Sequence, residues 1–144
     1  MKISVPGVIV RETCLSDLKP IYRLGLDEPL LNLTNSLDVS AIANAFCSDD
    51  LIAYTASRKK EVLGFIIGRI NGDSAEIQWL MVKEKLRRRG IGKALLDSFI
   101  IKSKTRGALN YFVALLPDKT ETKSFFYKRN MIQIESFIRI SGKF

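Results

Sequence analysis

Apolar and polar residues alternate or cluster along this chain with changing periods, and the changes mark out the elements. Val8-Ile9-Val10-Arg11-Glu12 reads as a first strand. Ser16 or Asp17 then offers a cap for a helix through Leu18, Ile21, Tyr22 and Leu24, with Pro20 tolerated in its first turn. The stretch Leu26-Asp27-Glu28-Pro29-Leu30-Leu31-Asn32 breaks that helix, and Ser40–Phe46 reads as a second, short one. Leu51–Ala56 and Val62–Ile70 form a hairpin pattern around the polar turn Ser57–Glu61. Asn71-Gly72-Asp73 predicts a further tight turn, because Asn-Gly favours positive φ. The strand Ala75–Val82 follows. From about Gly90 to Lys104 the period changes to that of a helix, with Ile91, Leu95 and Phe99 on one stripe, Ala94 and Ile101 beside it, and Gly107 as the stop. Tyr111–Leu116 is apolar throughout, which predicts a central strand buried on both faces. A helix over roughly Glu121–Arg129 and a last alternating strand, Ile132–Ile140, complete the pattern.

The alternation of strands and helices predicts an α/β (α+β) domain, and 144 residues suffice for one adequate core, so residues 1–144 are read as a single domain. A hydrophobic content of 47% is that of a globular chain. No apolar run approaches the ~20 residues that span a bilayer. Met1–Gly7 lacks the apolar core of a signal peptide, so a cytoplasmic protein with no membrane partner is expected. There is no histidine, and the two cysteines, Cys14 and Cys47, are not in a C-x-x-C pair. That argues against a metal site and against cysteine–histidine or serine–histidine catalysis. Both cysteines are expected to be small buried residues in a reducing compartment.

The chemistry is concentrated between the strand ending at Val82 and the helix starting near Gly90. The run Leu86-Arg87-Arg88-Arg89-Gly90-Ile91-Gly92-Lys93-Ala94 joins a basic, glycine-punctuated turn to a helix. Strand, turn and helix in that order present unpaired N–H groups at a helix N-terminus, where the dipole favours an anion. Gly90 and Gly92 leave room for close approach, and Arg87, Arg88, Arg89 and Lys93 surround the spot with cations. The expected ligand group is a pyrophosphate. A Walker A loop is excluded because Lys93 is followed by Ala94 rather than Ser or Thr. A dinucleotide fingerprint is excluded because Leu95 stands where the third glycine belongs.

What the spacing does match is Arg87-x-x-Gly90-x-Gly92, which resembles the acetyl-coenzyme A signature of the GNAT superfamily of N-acetyltransferases. The resemblance extends from roughly Ile52 to Met131 and includes the three strands joined by tight turns and Gly64 on the second strand of the hairpin. It implies a GNAT-like mixed, mostly antiparallel sheet of six to seven strands with about four helices and splayed central strands. Six strands are expected here, because only Ser141–Phe144 follow Ile140. An exposed C-terminal edge invites a second copy, so a homodimer is one expectation.

The resemblance also implies that amides of Leu80, Met81 and Val82 line the pantetheine arm, with one near the thioester oxygen. The cradle Arg87, Arg88, Arg89, Gly90, Ile91, Gly92, Lys93 and Ala94 would take the pyrophosphate. Thr120–Met131 matches the family's last helical segment only in part. Phe126-Tyr127 fits; Thr120, Lys123, Asn130 and Met131 stand where asparagine, alanine, glycine and phenylalanine are usual. Tyr127 is the implied proton donor to the leaving thiolate. Glu76, eleven residues before Arg87, occupies the offset at which histone-type members carry a glutamate base. A strand carboxylate that is partly desolvated is a better proton acceptor. The competing readings of Glu76 are a cross-strand partner for a lysine, and a water chain that does the base's work.

The expected activity is acetyl transfer from acetyl-coenzyme A to a primary amine, by direct attack and without a covalent enzyme intermediate. Protein N-terminus, lysine and small polyamine remain open as acceptor, and Asp27-Glu28 in the Leu26–Ser40 segment is a candidate attractant for a cationic amine. A net charge of +8 fits a polyanionic ligand. Its basic runs, Arg58-Lys59-Lys60 and Lys102–Arg106 among them, do not interleave with aromatics, which makes nucleic acid an unlikely partner. The alternatives from other classes are a non-catalytic acyl-coenzyme A sensor and a small basic nucleic-acid-binding module.

Overall fold

A computed structural model describes residues 3–27, 39–114, 120–129 and 131. Among these residues five strands form one sheet in chain order: β1 (Val8–Glu12), β2 (Leu51–Arg58), β3 (Glu61–Asn71), β4 (Ser74–Val82) and β5 (Asn110–Val113). The first three pairings are antiparallel and β4–β5 is parallel. Helices α1 (Leu18–Asp27) and α2 (Val39–Phe46) cover one face. Helix α3 (Ile91–Thr105) covers the other, with Phe126 of α4 (Thr120–Tyr127) joining its core. The architecture is the mixed, mostly antiparallel sheet with four helices that the sequence predicts. The expected sixth strand, Ile132–Ile140, the Leu26–Ser40 segment beyond α1 and the C-terminal edge lie outside the described residues.

Two cores sandwich the sheet. Leu63, Ile66, Ile77, Leu80, Leu95, Leu96 and Phe99 pack beneath α3. Ile21, Leu24, Ile42, Phe65, Ile67, Trp79 and Met81 pack beneath α1 and α2. The change of face occurs in β4. Ile67 pairs with Trp79 but Gly68 pairs with Ile77, so Gln78 has no partner on β3. This one-residue bulge lets Ile77 and Leu80, three apart, share the α3 face, where an unbroken strand puts residues two apart together. Gly68 makes the bulge feasible: a Cβ there would lie 2.1 Å from the Glu76 carbonyl oxygen and 2.6 Å from Cε2 of the fully buried Phe99.

Several local expectations need correction. Tyr111–Ala114 are half-buried rather than enclosed on both faces, because β5 meets β4 along four residues only. Ile101 is 67% exposed, and Leu96 takes the place beside the stripe. Both cysteines are exposed: Cys14 caps the 3-10 turn Leu15–Asp17 that leads into α1, and Cys47 follows α2. Neither position has a core to enter.

Asp17 ties β1 to the start of α1. Its buried carboxylate accepts two bonds from the Arg11 guanidinium, at 2.7 and 2.9 Å, and one from the Cys14 backbone N–H at 2.8 Å. The Arg11 hydrogen bond is the main reason that its pKa lies below 3.8, against a smaller opposing effect of burial. A carboxyl depressed by folding adds stability above its unfolded pKa and loses it as pH falls through the folded value. Asp17→Asn is therefore expected to cost roughly 1–3 kcal/mol at neutral pH and to flatten the loss of stability below about pH 4. Urea unfolding of both proteins at neutral and acid pH measures this; an equal acid loss in the two would remove Asp17 from the account.

Candidate active site

The bulge and the loop after β4 build one site from opposite ends of a short segment. Past the bulge, β4 continues beyond its pairing with β5. The β4–β5 register ends at Ile77 opposite Val113, whereas β4 stays paired with β3 as far as Val82. Among the described residues, Trp79–Val82 are therefore paired on the β3 side only. Alternate N–H and C=O groups of Leu80, Met81 and Val82 point to the side away from β3.

After Val82 the chain is anchored by the Lys83 N–H on the Leu63 carbonyl at 2.9 Å and makes a 3-10 turn, Glu84–Leu86. Arg87 does not extend its whole guanidinium toward the loop mouth: its Nε donates to the Val82 carbonyl at 3.0 Å, which closes the turn on itself. Arg88 has φ 63° and Gly90 has φ 89°. Left-handed residues alternating in this way line successive N–H groups around a concavity that suits an anion. The Arg89 carbonyl is turned away and accepts the Ser4 N–H at 2.9 Å. The first intrahelical bond of α3 runs from Ala94 N–H to Gly90 C=O at 3.0 Å, so the N–H groups of Ile91, Gly92 and Lys93 have no partner within the helix. Arg88 and Arg89 are exposed at the mouth, while the Lys93 ammonium is paired with Asp97 at 2.6 Å.

Gly92 has a role that spacing alone did not reveal. A Cβ there would lie 3.2 Å from Cε2 of Phe125 and 3.8 Å from Cγ2 of Val82, so the space is filled by α4 rather than left open to a phosphate. Phe125 stacks edge-on against Phe126, with centroids 5.1 Å apart, and Arg129 lies 3.7 Å above the Phe125 ring and donates to its carbonyl at 2.7 Å. This packing sets Phe125 of α4 against the start of α3; Tyr127, two residues on, is 47% exposed. Arg129 had registered in the sequence only as surface charge; no residue spacing signals its stacking.

Glu76 stands two residues before the bulge, on the α1–α2 face, and its Oε1 accepts Arg69 Nε at 3.1 Å across the β3–β4 pair. The cross-strand partner weighed for it exists and is an arginine. Beside this pair opens a cavity of about 340 Å³ lined by Asn44, Ser48, Asp50, Arg69, Gln78 and Trp79, among others. The sequence pointed to none of these, because they meet only through the α2–sheet packing. Among the described residues no group of three His, Cys, Asp or Glu side chains is arranged to hold a metal.

The family model described as "Acetyltransferase (GNAT) domain" matches residues 49–130, more than half of the chain. The chain belongs to the GNAT family. Solved structures agree with this GNAT fold. Aminoglycoside N-acetyltransferase AAC(6')-Iy in complex with CoA gives a TM-score of 0.78 at 14% identity, over 94% of this chain and 99% of that one. Ard1 from Thermoplasma volcanium gives 0.75 at 22% identity, over 88% and 83%. PaiA N-acetyltransferase from Thermoplasma acidophilum in complex with coenzyme A gives 0.69 at 19%, over 85% and 87%. No curated protein matches the GNAT chain by sequence.

The Gly92–Phe125 contact predicts coupling between two positions 33 residues apart in the chain (125 − 92). Gly92→Val is expected to destabilise by roughly 1–3 kcal/mol through overpacking. In a double-mutant cycle with Phe125→Ala, at least about 0.5 kcal/mol of that cost should disappear. Strict additivity in thermal unfolding would show that the ring does not fill this space.

Proposed function

We propose that this protein transfers the acetyl group of acetyl-coenzyme A to a primary amine. The observation that carries the reading is the β4 segment itself: pairing on the β3 side alone from Trp79 to Val82 leads, through the Glu84–Leu86 turn, to the left-handed residues Arg88 and Gly90 and the N-terminus of α3. The residues suit the group. The N–H groups of the Arg88–Gly90 turn and of Ile91, Gly92 and Lys93 take the pyrophosphate at the helix N-terminus. The unpaired edge of Leu80, Met81 and Val82 takes the amide-bearing arm as a strand would take a partner, and a backbone N–H there polarises the thioester oxygen. Arg88 and Arg89 add charge at the mouth, while Arg87 shapes the turn and Lys93 contributes through its backbone. Bound acetyl-coenzyme A supplies an activated acyl carbon; the chain supplies position and proton traffic.

The acceptor enters from the α1–α2 face through the cavity beside Arg69 and Gln78. Attack needs a neutral amine. Glu76, directly or through one water, accepts the ammonium proton, and Arg69 holds its carboxylate in place. Tyr127, two residues beyond Phe125, donates a proton to the departing sulfur. Direct transfer requires both substrates together, so no covalent enzyme intermediate forms.

Titration with acetyl-coenzyme A, followed by thiol release with a panel of peptide N-termini, lysine and polyamines, tests the reading. Binding without thiol release from any amine would make the protein an acyl-coenzyme A sensor. Tyr127→Phe is expected to lower kcat about 100-fold, within the usual span of acid–base catalysis, with coenzyme A affinity nearly intact. Glu76→Gln is expected to lose most activity at low pH, where free amine is scarce. A Glu76→Gln enzyme with the wild-type rate at every pH would leave the base's work to water.

A further inference from the structure

On the α1 face, at the β2–β3 hairpin end of the sheet, lies a second and larger depression that acetyl transfer does not use. It is an open groove of about 1050 Å³ between α1, the hairpin and the end of β4. Five of its lining residues are cations: Arg23, Arg58, Lys59, Lys60 and Lys83. The one carboxylate among them, Glu61, is paired with Lys83. The hydrogen bond from Lys83 holds Glu61 below the ordinary carboxylate range, with a weaker contribution from Arg58. The hairpin tip adds to this arrangement. Lys59 occupies the left-handed region, φ 57°, where glycine or asparagine fits with less strain.

The apolar lining decides the class of anion. Buried Leu24 and Val62 and half-buried Pro20 share the lining with the basic side chains, and Pro6 stands exposed beside them, so the groove combines an apolar lining with basic side chains. Among the described residues no aromatic side chain lines the groove to serve as the stacking platform that single-stranded nucleic acid uses. A duplex backbone contacts cations and has no use for an apolar lining. A bilayer surface fits protruding apolar residues rather than a recessed groove. An extended peptide that alternates carboxylates with apolar side chains satisfies both the lining and the cations.

We propose that this groove docks an acidic, apolar-studded polypeptide segment of a protein acceptor. The link to acetylation rests on the function proposed above. The Gln78 bulge lies opposite Ile67 and Gly68, and Val62 is five or six residues further along β3. That separation is about 20 Å. An extended chain spans it with about six residues. The acidic segment of such an acceptor therefore begins at least about six residues from the amine that is acetylated.

Fluorescence anisotropy with intact protein tests the groove without any acetyl transfer. The probes are a short labelled peptide alternating Glu with Leu and Ser, the same peptide with Gln for Glu, a short RNA duplex, and phosphatidylserine vesicles. The Glu peptide is expected to bind at low salt and to weaken as salt rises; the Gln peptide should bind roughly tenfold more weakly or worse. The double variant Arg23→Glu, Lys60→Glu should lose at least about tenfold for the Glu peptide, and Lys60→Gln an intermediate amount. Both variants should keep the wild-type melting temperature and the rate toward a small amine, since neither residue belongs to the transfer site. No binding of the Glu peptide, binding indifferent to these variants, or tighter variant-sensitive binding of RNA or vesicles would overturn the proposal. Peptide binding with no acetyl transfer from any amine would instead overturn the function reading and leave the groove standing.

Discussion

Strand β4 has to serve two faces of the sheet with one backbone, and the bulge at Gln78 is where it changes over. The change requires the Glu76 carbonyl to lie against the Cα of Gly68 while the Phe99 ring presses on the same point from α3. A side chain at Gly68 is incompatible with both contacts. Much of the architecture follows from this close approach. It puts Ile77 and Leu80 under α3, Trp79 and Met81 under α1 and α2, and starts the one-sided stretch of β4 just where pairing with β5 ends. Core packing and site construction are in this respect the same constraint.

Electrostatics then divides the molecule's positive charge into separate tasks. At the start of α3 what the chain offers is mainly backbone: left-handed residues at 88 and 90 and the open first turn of the helix. Several of the cations that make the stretch conspicuous are already engaged, Arg87 with the Val82 carbonyl and Lys93 with Asp97. A backbone cradle is preorganised in a way that long side chains are not, and it needs no reorganisation when charge arrives. The side chains of Arg88 and Arg89 remain at the mouth, where attraction over distance is useful. The basic groove at the hairpin is a second concentration of charge, on the other face and with its own apolar lining.

The course of the strands was legible because their signals are local. Asn71-Gly72 places Gly72 at φ 65°, and Gly107 ends α3 at φ 97°, both as their sequence context requires. The turn into α3 was legible because its signals are written in consecutive residues, from Arg87 to Ala94. The bulge was not, since Gln78 sits in an unbroken strand pattern and only pairing with Gly68 exposes the extra residue. The acceptor-side cavity was hidden for the same reason: Asn44, Asp50, Arg69 and Gln78 come from three separate stretches of chain. Glu76 was found by its offset, yet its partner Arg69 is seven residues away across a turn and only the register names it. The exposed cysteines were misjudged because residue type, rather than position at a helix end, was taken as the guide.

The account centres on one continuous binding surface, from the unpaired edge of β4 to the first turn of α3. Amide hydrogen exchange with and without coenzyme A reads that surface residue by residue. The account predicts slowed exchange within Arg88–Lys93 and at the outward-facing amides of Leu80–Val82, with little change in β1, β2 or the β2–β3 hairpin. Saturating coenzyme A that leaves the Arg88–Lys93 amides unprotected, or protects the hairpin groove instead, would contradict it.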